Sequence, residues 1–193
     1  MGETVDYYFA SRSPWSWLGH ERFAAIAERH GARIAVKPVD YGVIFPQSGG
    51  LALAKRAPQR LAYRLVELAR WRAFLGVPLN VEPRFFPVDA GPASCLICAA
   101  HEASRMALTA DCMRAVWVEE RNLADPAVLV EIAARHGIRD AALAMTQGRA
   151  DFEANTQEAL ARQVFGAPTY VYRDELFWGQ DRLDFLERAL QRG

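Results

Sequence analysis

The sequence predicts an α/β protein whose sheet-forming core is interrupted by a large all-helical insertion. Three observations support this fold class. The chain opens with a β-α-β pattern, continues with helical patterns that no strand signal interrupts, and closes with an α-β-β-α pattern. This order is that of a thioredoxin-like fold in which residues 1–40 and 150–193 form the core and residues 41–149 form the helical insertion.

The opening β-α-β unit is indicated by two apolar runs and the residues between them. Residues 5–9 are aromatic and apolar, which is typical of a short buried strand. Pro14 suits the first turn of a helix, and Gly31 suits its end. A second strand is expected at 34–36 and ends before Pro38. This β-α-β order favours a right-handed crossover between two parallel strands.

The middle of the chain is predicted to be helical. A loop is expected at 46–50, and a long helix carries apolar residues at helical spacing from 61 to 75 before it ends at Gly76. The segment 79–88 is rich in proline and is expected to be extended. Alanine-rich helices are then expected at 93–108, 111–121, 126–136 and 140–147.

The C-terminal part returns to mixed structure. A helix is expected at 152–164, followed by strands at 169–172 and 176–178 that a short polar turn joins into a hairpin. Asp181 is expected to cap the last helix, at 183–190.

Composition and charge exclude several classes of protein. The 23 basic and 23 acidic residues leave no net charge, which removes the electrostatic case for a nucleic-acid or anionic membrane partner. No apolar stretch is long enough to span a bilayer, and the residues from Met1 lack the features of a secretory signal or of myristoylation. Three cysteines, an odd count, argue against a secreted disulfide scaffold. The prediction is a cytoplasmic protein.

The tetrapeptide Ser13-Pro14-Trp15-Ser16 lies between the first strand and the first helix, where a thioredoxin-like domain carries Cys-x-x-Cys. Because serine occupies both sulfur positions, dithiol–disulfide exchange is excluded at this site. The helix N-terminus and the Ser13 hydroxyl could instead hold a thiolate that another molecule brings. The alternative is ordinary helix-start chemistry, in which serine precedes a proline in the first turn.

Two further motifs lie near the predicted hairpin. Ala167-Pro168 precedes a strand, where a cis-proline would leave the backbone of Ala167 free to pair with an extended peptide; a trans-proline at a strand start is the alternative. The second motif consists of Trp178, Gly179, Gln180 and Asp181. Gln180 and Asp181 could receive an ammonium group at the start of the last helix, or the motif could be an ordinary helix cap.

A cysteine pair and a basic cluster each have two interpretations. Cys95 and Cys98, with His101 and Cys112 nearby, suggest a metal or redox site. They lie inside an apolar helical run without a fourth ligand at zinc spacing, so core packing is favoured and no metal is expected. The basic cluster opens the long helix and comprises Lys55, Arg56, Arg60 and Arg64. Such a cluster is usually a solvated face, but it could also meet a substrate carboxylate.

Four stretches, taken together, resemble the 2-hydroxychromene-2-carboxylate isomerases. They are residues 7–19 (YYFASRSPWSWLG), 63–79 (YRLVELARWRAFLGVPL), 164–169 (VFGAPT) and 177–183 (FWGQDRL). This family is grouped with kappa-class glutathione transferases among DsbA-like thioredoxin proteins. The resemblance implies a DsbA-like fold, glutathione as cofactor, a small aromatic or conjugated enone substrate, and a homodimer.

The resemblance also implies roles for individual residues. Ser13 matches the family's nucleophilic or thiol-binding serine. The expected glutathione contacts are Ser13, Ala167, Pro168, Trp178, Gly179, Gln180 and Asp181, with Gln180 where asparagine is frequent. Phe45 and Phe85 are expected to line the substrate pocket. Some relatives have a lysine near the position of Phe45 that this chain lacks, so Lys55 or Arg84 is the expected partner of the substrate carboxylate.

The implied reaction interconverts 2-hydroxychromene-2-carboxylate and trans-o-hydroxybenzylidenepyruvate. Glutathione thiolate would add reversibly to the conjugated enone, allow rotation about the former double bond, and then leave. Three alternatives stay open: a kappa-like glutathione transferase or peroxidase that consumes glutathione, a non-catalytic DsbA-like binding module, and a displaced redox pair formed by Cys95 and Cys98.

Overall fold

A four-stranded mixed sheet organises the protein, whose computed structural model describes residues 3–193. The strands are β1 (Thr4–Phe9), β2 (Arg33–Pro38), β3 (Thr169–Tyr172) and β4 (Glu175–Trp178). Their order in the sheet is β2-β1-β3-β4. β1 pairs in parallel with β2 and antiparallel with β3, and β3 and β4 form the predicted hairpin. The expectations that concern Met1 and Gly2, on a signal sequence and on myristoylation, lie outside the described residues.

Helices fill the chain between β2 and β3, and no strand interrupts them among the described residues. The helices are α1 (Pro14–Arg29), α2 (Tyr41–Ser48), α3 (Pro58–Leu75), α4 (Gly91–Ala99), α5 (Glu102–Trp117), α6 (Pro126–Arg135), α7 (Ala141–Gln147), α8 (Arg149–Ala161) and α9 (Leu183–Arg192). Short 3-10 helices lie at Leu53–Lys55 and Gln180–Arg182. In the part of the chain that the structure describes, no helix has the length and apolar character needed to cross a membrane.

Two of the predicted helix boundaries in the insertion are wrong. The expected loop at 46–50 is the end of α2, because Asp40 caps this helix through the Gly42 N–H (2.7 Å) and the helix continues through Pro46. The helix expected at 93–108 is broken at Ala100, which is extended, and α5 then runs on through the break expected near residue 110. Neither Gly nor Pro marks this break in the sequence.

The start of the last helix also differs from the prediction. Asp181 lies within the 3-10 helix Gln180–Arg182, and Arg182 occupies the N-cap position of α9 without a side-chain capping bond. The role of Asp181 as the N-cap is therefore wrong. Its carboxylate accepts instead from the Arg182 guanidinium (2.8 Å) and remains exposed.

Buried aromatic rings fix α1 against the sheet. The Tyr7 ring stacks on Phe9 (4.5 Å between centroids) and on Tyr170 (5.4 Å), and Phe23 of α1 packs on Tyr170 at 4.5 Å. All four side chains are fully buried. Aromatic pairs at these separations contribute more than their buried area alone, so the orientation of α1 on β1 and β3 is strongly determined.

Candidate active site

Strand pairing brings the three sequence motifs to one edge of the sheet. Tyr8 of β1 lies opposite Thr169 of β3, and Thr169 lies opposite Trp178 of β4. The chain continues from Tyr8 towards Ser13, and Pro168 immediately precedes Thr169. Because β1 and β3 are antiparallel, the exit of one strand and the entry of the other meet at the same edge. The start of α1, the proline loop and the turn after β4 therefore face one region.

Ser13 is the N-cap of α1. Its extended backbone (φ −80°, ψ 125°) precedes Pro14 in the first helical turn, and its Oγ accepts from the Ser16 N–H at 3.2 Å. Its own N–H donates to the Ala10 carbonyl at 2.8 Å, which holds the turn between β1 and α1. The cap uses an Oγ lone pair and leaves the hydroxyl proton available to a ligand.

A second donor lies beside this hydroxyl. Pro14 has no N–H, and the Trp15 backbone N–H has no hydrogen-bond partner among residues 3–193. The N-terminus of a helix carries a partial positive charge, so a negatively charged atom is stabilised there. The Ser13 O–H and the Trp15 N–H together form a small anion-binding site that suits a thiolate.

The Ala167–Pro168 peptide bond is cis, which is one of the two possibilities that the sequence left open. The backbone N–H and carbonyl of Ala167 make no hydrogen bond to any other described residue. The neighbouring Gly166 carbonyl is held by Tyr41 Oη (2.7 Å) and Thr169 Oγ1 (2.6 Å), which fixes the loop from both sides. Ala167 thus presents a free donor and a free acceptor that can pair with an extended peptide.

The turn after β4 is hydrogen-bonded to the proline loop. Its residues Gln180 and Asp181 lie in different environments. Gly179 has a positive φ of 107°, which favours glycine, and its N–H donates to the Pro168 carbonyl at 2.8 Å. Gln180 is buried, and its Oε1 accepts from the Arg22 guanidinium at 2.9 Å. The amide oxygen of Gln180 is therefore held by α1, whereas the Asp181 carboxylate is exposed and can receive an ammonium ion.

Two aromatic side chains beside the site are candidates for contact with a bound molecule. Trp178 is 51% exposed and meets the edge of Phe165 at 4.7 Å between centroids. Phe45 of α2 packs on Tyr41 at 5.3 Å and belongs to the same apolar cluster as Ala167. Phe45 and Ala167 thus pack against the same group of buried residues, and the role of Phe45 in a substrate pocket stays a prediction.

The segment 84–90 reaches the site from the other side. Arg12, next to Ser13, donates from Nη1 to the Val88 carbonyl at 2.6 Å. Phe85 is exposed, and the Arg84 guanidinium lies over its ring at 5.1 Å. These two residues lie three to four positions along the chain from Val88, and their contact with a substrate stays a prediction. The expected carboxylate partners Arg84 and Lys55 are both exposed, and Lys55 lies on the short 3-10 helix before α3.

Sequence reasoning missed a set of buried polar groups behind the Ser13 site. Tyr7 Oη lies 3.4 Å from His20 Nδ1, and His20 Nε2 lies 3.0 Å from the Met106 carbonyl. Burial lowers the pKa of His20 to about 4, so this imidazole is neutral near pH 7. Ser16 Oγ and Tyr170 Oη are buried and have no partner among the described residues. The spacing of Ser16 and His20, one helical turn apart on the buried face, was the available signal.

The three cysteines are buried on helices of the insertion. Cys95 and Cys98 are buried on α4, Cys112 is buried on α5, and all three are free thiols. Burial raises the pKa of Cys98 and of Cys112 to about 12, so both are protonated at neutral pH. Within residues 3–193, no cluster of three His, Cys, Asp or Glu side chains could hold a metal ion.

This fold and site define a thioredoxin-type domain in which serine replaces both redox cysteines. The family model described as DSBA-like thioredoxin domain matches residues 4–191, and the chain belongs to this family. The thioredoxin-like fold predicted from the order of elements is thereby confirmed.

Comparison with individual proteins confirms the resemblance described above. The chain is 30% identical over 196 residues to the 2-hydroxychromene-2-carboxylate isomerase of Pseudomonas putida, covering 97% of this chain and 94% of that protein. It is 29% identical over 200 residues to the isomerase of the same name from Sphingobium xenophagum, covering 98% and 99%. A solved structure of 2-hydroxychromene-2-carboxylate isomerase superposes with a TM-score of 0.82 at 26% identity, covering 98% of this chain and 95% of that chain.

Proposed function

We propose that this protein is a glutathione-dependent isomerase that interconverts 2-hydroxychromene-2-carboxylate and trans-o-hydroxybenzylidenepyruvate, or a related conjugated enone. The observation that carries the proposal is the Ser13 hydroxyl at the N-terminus of α1, beside the unpaired Trp15 N–H and the free backbone of Ala167. The names of the similar proteins support the substrate class.

Glutathione fits the site group by group. The backbone of its cysteine pairs with the Ala167 N–H and carbonyl, as an added strand would. Its thiolate accepts from the Ser13 O–H and the Trp15 N–H. The α-ammonium of its γ-glutamyl residue reaches the Asp181 carboxylate, while Trp178 covers the tripeptide from the side. Each proposed contact uses a group that is exposed or lacks a partner within residues 3–193.

Thiolate stabilisation is the chemical task of the site. A cysteine thiol has a pKa of about 8.5, so only a few per cent of free glutathione is thiolate at neutral pH. Charge-assisted hydrogen bonds and the partial positive charge of the helix N-terminus favour the ionised form. Bound glutathione is therefore a stronger nucleophile at pH 7 than free glutathione.

The reaction conserves glutathione. The thiolate forms a carbon–sulfur bond at the enone carbon β to the ketone, and the electron pair of the double bond moves to the carbonyl oxygen as an enolate. The former double bond is now single and rotates. When the enolate electrons return, the double bond re-forms in the cis geometry and the same thiolate leaves. The phenol oxygen then adds to the ketone carbon, and the phenol proton passes to the former ketone oxygen, which closes the hemiketal ring of 2-hydroxychromene-2-carboxylate. No proton or electron is consumed overall, so glutathione acts as a cofactor.

The direct test compares Ser13→Ala with Ser16→Ala. Glutathione is titrated by calorimetry, and turnover of the enone is followed by its ultraviolet absorbance. Ser13→Ala is expected to lose most of the activity, whereas Ser16→Ala retains it because Ser16 Oγ makes no hydrogen bond within the described residues. Near-wild-type turnover by Ser13→Ala would refute the assignment. Consumption of glutathione during turnover would instead show a transferase or peroxidase.

A further inference from the structure

Arg64 of α3 is a partly buried cation without a counter-ion. Its guanidinium lies over the ring of Phe86 at 5.1 Å and near the ring of Trp117 at 6.0 Å. Its Nη2 is buried and has no hydrogen-bond partner among residues 3–193. No carboxylate of the described residues lies within ion-pair distance of it. An unpaired charge in such surroundings is unfavourable, because burial removes water that nothing replaces.

Three other partly buried arginines have polar partners. Arg162 contacts the carboxylates of Asp6 and Asp174, Arg12 donates to a backbone carbonyl, and Arg22 donates to Gln180. Burial, and secondarily the charge of Arg56, lower the pKa of Arg64 to about 10, yet the group stays protonated at neutral pH. Arg64 thus keeps its charge in a place where the fold supplies no partner for it.

A second unsatisfied donor lies beside this guanidinium. Trp117 is fully buried, and its indole Nε1 has no acceptor among the described residues. The Phe86 ring packs on Trp117 at 4.7 Å and also lies under Arg64. The two rings, called the aromatic wall below, therefore contact both donor side chains. Guanidinium and indole N–H groups only donate, so the group that would satisfy them is an acceptor, and the positive charge of Arg64 favours an anionic one.

The position of this aromatic wall relates it to the proposed thiol site. Phe86 is two residues from Val88, whose carbonyl accepts from Arg12 at 2.6 Å, and Arg12 is next to Ser13. Consecutive Cα atoms are about 3.8 Å apart, so Phe86 lies within about 8 Å of the Arg12 contact, measured along Cα atoms. The aromatic wall and Ser13 are therefore linked through residues 86–88 and the Arg12 hydrogen bond.

We propose that Arg64, with the indole N–H of Trp117, binds the carboxylate of the enone acid whose β-carbon meets the thiolate at Ser13. This inference rests on the proposed function, since it assigns the carboxylate site of that substrate. It replaces Lys55 and Arg84 as the carboxylate partner. Those two side chains are exposed, and solvent and salt screen their charges, whereas the surroundings of Arg64 strengthen a charge-assisted hydrogen bond.

The test pairs two substrates with two variants. The substrates are trans-o-hydroxybenzylidenepyruvate and o-hydroxybenzylideneacetone, a conjugated enone in which a methyl group stands in place of the carboxylate. The variants are Arg64→Met and the control Arg60→Met, which removes the same charge from an exposed position one turn earlier on α3. Arg64→Met is expected to lower kcat/KM for the acid by about tenfold to hundredfold, the range for one hydrogen bond to a charged group.

Selectivity for the acid is the decisive readout. Activity of Arg64→Met on the ketone, and both activities of Arg60→Met, are expected to stay within about twofold of wild type, a difference of about 0.4 kcal/mol. An equal loss on acid and ketone in Arg64→Met, or no loss on either, would overturn the carboxylate assignment. Thermal unfolding of each variant shows whether it is folded.

Direct binding separates this inference from the proposed function. Glutathione titrations of Arg64→Met are expected to match wild type, because Arg64 touches none of the proposed glutathione groups. If wild type turns over neither enone, trans-cinnamate is titrated and tryptophan fluorescence is followed. Saturable binding that Arg64→Met loses and Arg60→Met keeps supports the carboxylate site even then. Equal binding by all three proteins, or binding by none, refutes it.

Discussion

Replacing Ser13 by alanine is expected to raise the pKa of bound glutathione. In the proposed complex the Ser13 hydroxyl donates one hydrogen bond to the thiolate, and alanine removes it. A hydrogen bond to a charged group contributes about 1.5–3 kcal/mol. At 1.36 kcal/mol per pKa unit, the loss corresponds to a rise of about one to two units. The Trp15 N–H and the helix N-terminus remain, so the bound pKa stays below that of free glutathione.

The sign of the pH dependence follows from linkage. A thiol whose pKa is lower in the complex than in solution releases a proton on binding at pH values between the two. Glutathione affinity therefore rises with pH from the bound pKa up to the free pKa of about 8.5, and then levels off. Wild type is expected to bind about tenfold to hundredfold more tightly than Ser13→Ala above this window. Below both pKa values the two proteins bind alike.

The assay is a pH series of calorimetric titrations, with thiolate absorbance recorded at each pH. Ser13→Thr serves as the matched control, because it keeps a hydroxyl that can both cap the helix and donate. Ser13 Oγ also caps α1, so alanine is expected to cost about 1 kcal/mol of stability, or about 2–4 °C in Tm. Identical pH profiles for wild type and Ser13→Ala would refute the reasoning, whatever happens to the Tm.

Three further results are expected. Asp181→Asn weakens glutathione binding about fivefold, a typical upper value for an exposed ion pair, and leaves the thiolate pKa unchanged; calorimetry that finds no change removes Asp181 from the site. The double variant Cys95→Ala, Cys98→Ala keeps activity, since both thiols are buried on α4 and burial raises their pKa values. Loss of turnover in a folded double variant would reinstate a redox role. His20 is buried with a pKa lowered from 6.5 to about 4, so the unfolded chain binds a proton that the folded one does not. The contribution of neutral His20 to the free energy of unfolding is present above pH 6.5 and falls by about 3 kcal/mol as the pH drops to 4. Urea unfolding at several pH values is expected to show a smaller loss of stability at low pH in His20→Leu than in wild type.

The parts of the fold that follow strong local signals could be predicted from the sequence. Ser13 before Pro14 marks the start of α1, and the polar turn between two aromatic runs marks the β3–β4 hairpin. The helix containing Pro46 was missed because a run of Pro, Ser and Gly usually indicates a loop. Here the Asp40 cap starts α2 at Tyr41, and the helix ends at Ser48, shortly after the proline.

The parts of the site that depend on distant residues could not be predicted. Gln180 turns inward because Arg22, 158 residues away in sequence, takes its amide oxygen. Arg64 and Trp117 are far apart along the chain, and only the packing of Phe86 between α3 and α5 brings their unsatisfied donors together. The sequence indicates a basic cluster at the start of α3. It does not indicate which side chain of that cluster becomes partly buried in the folded protein.

The order of elements along the chain has a consequence for how such a protein changes over evolution. The groups proposed to hold glutathione lie on the first and last segments of the chain, around α1, β3 and β4. The groups proposed to contact the substrate, Phe45, Arg64 and Phe85, all lie between β2 and β3. Substitutions in the helices can therefore alter substrate preference while thiol activation stays intact. A library confined to residues 41–149 is accordingly the efficient route to new enone specificities on this scaffold.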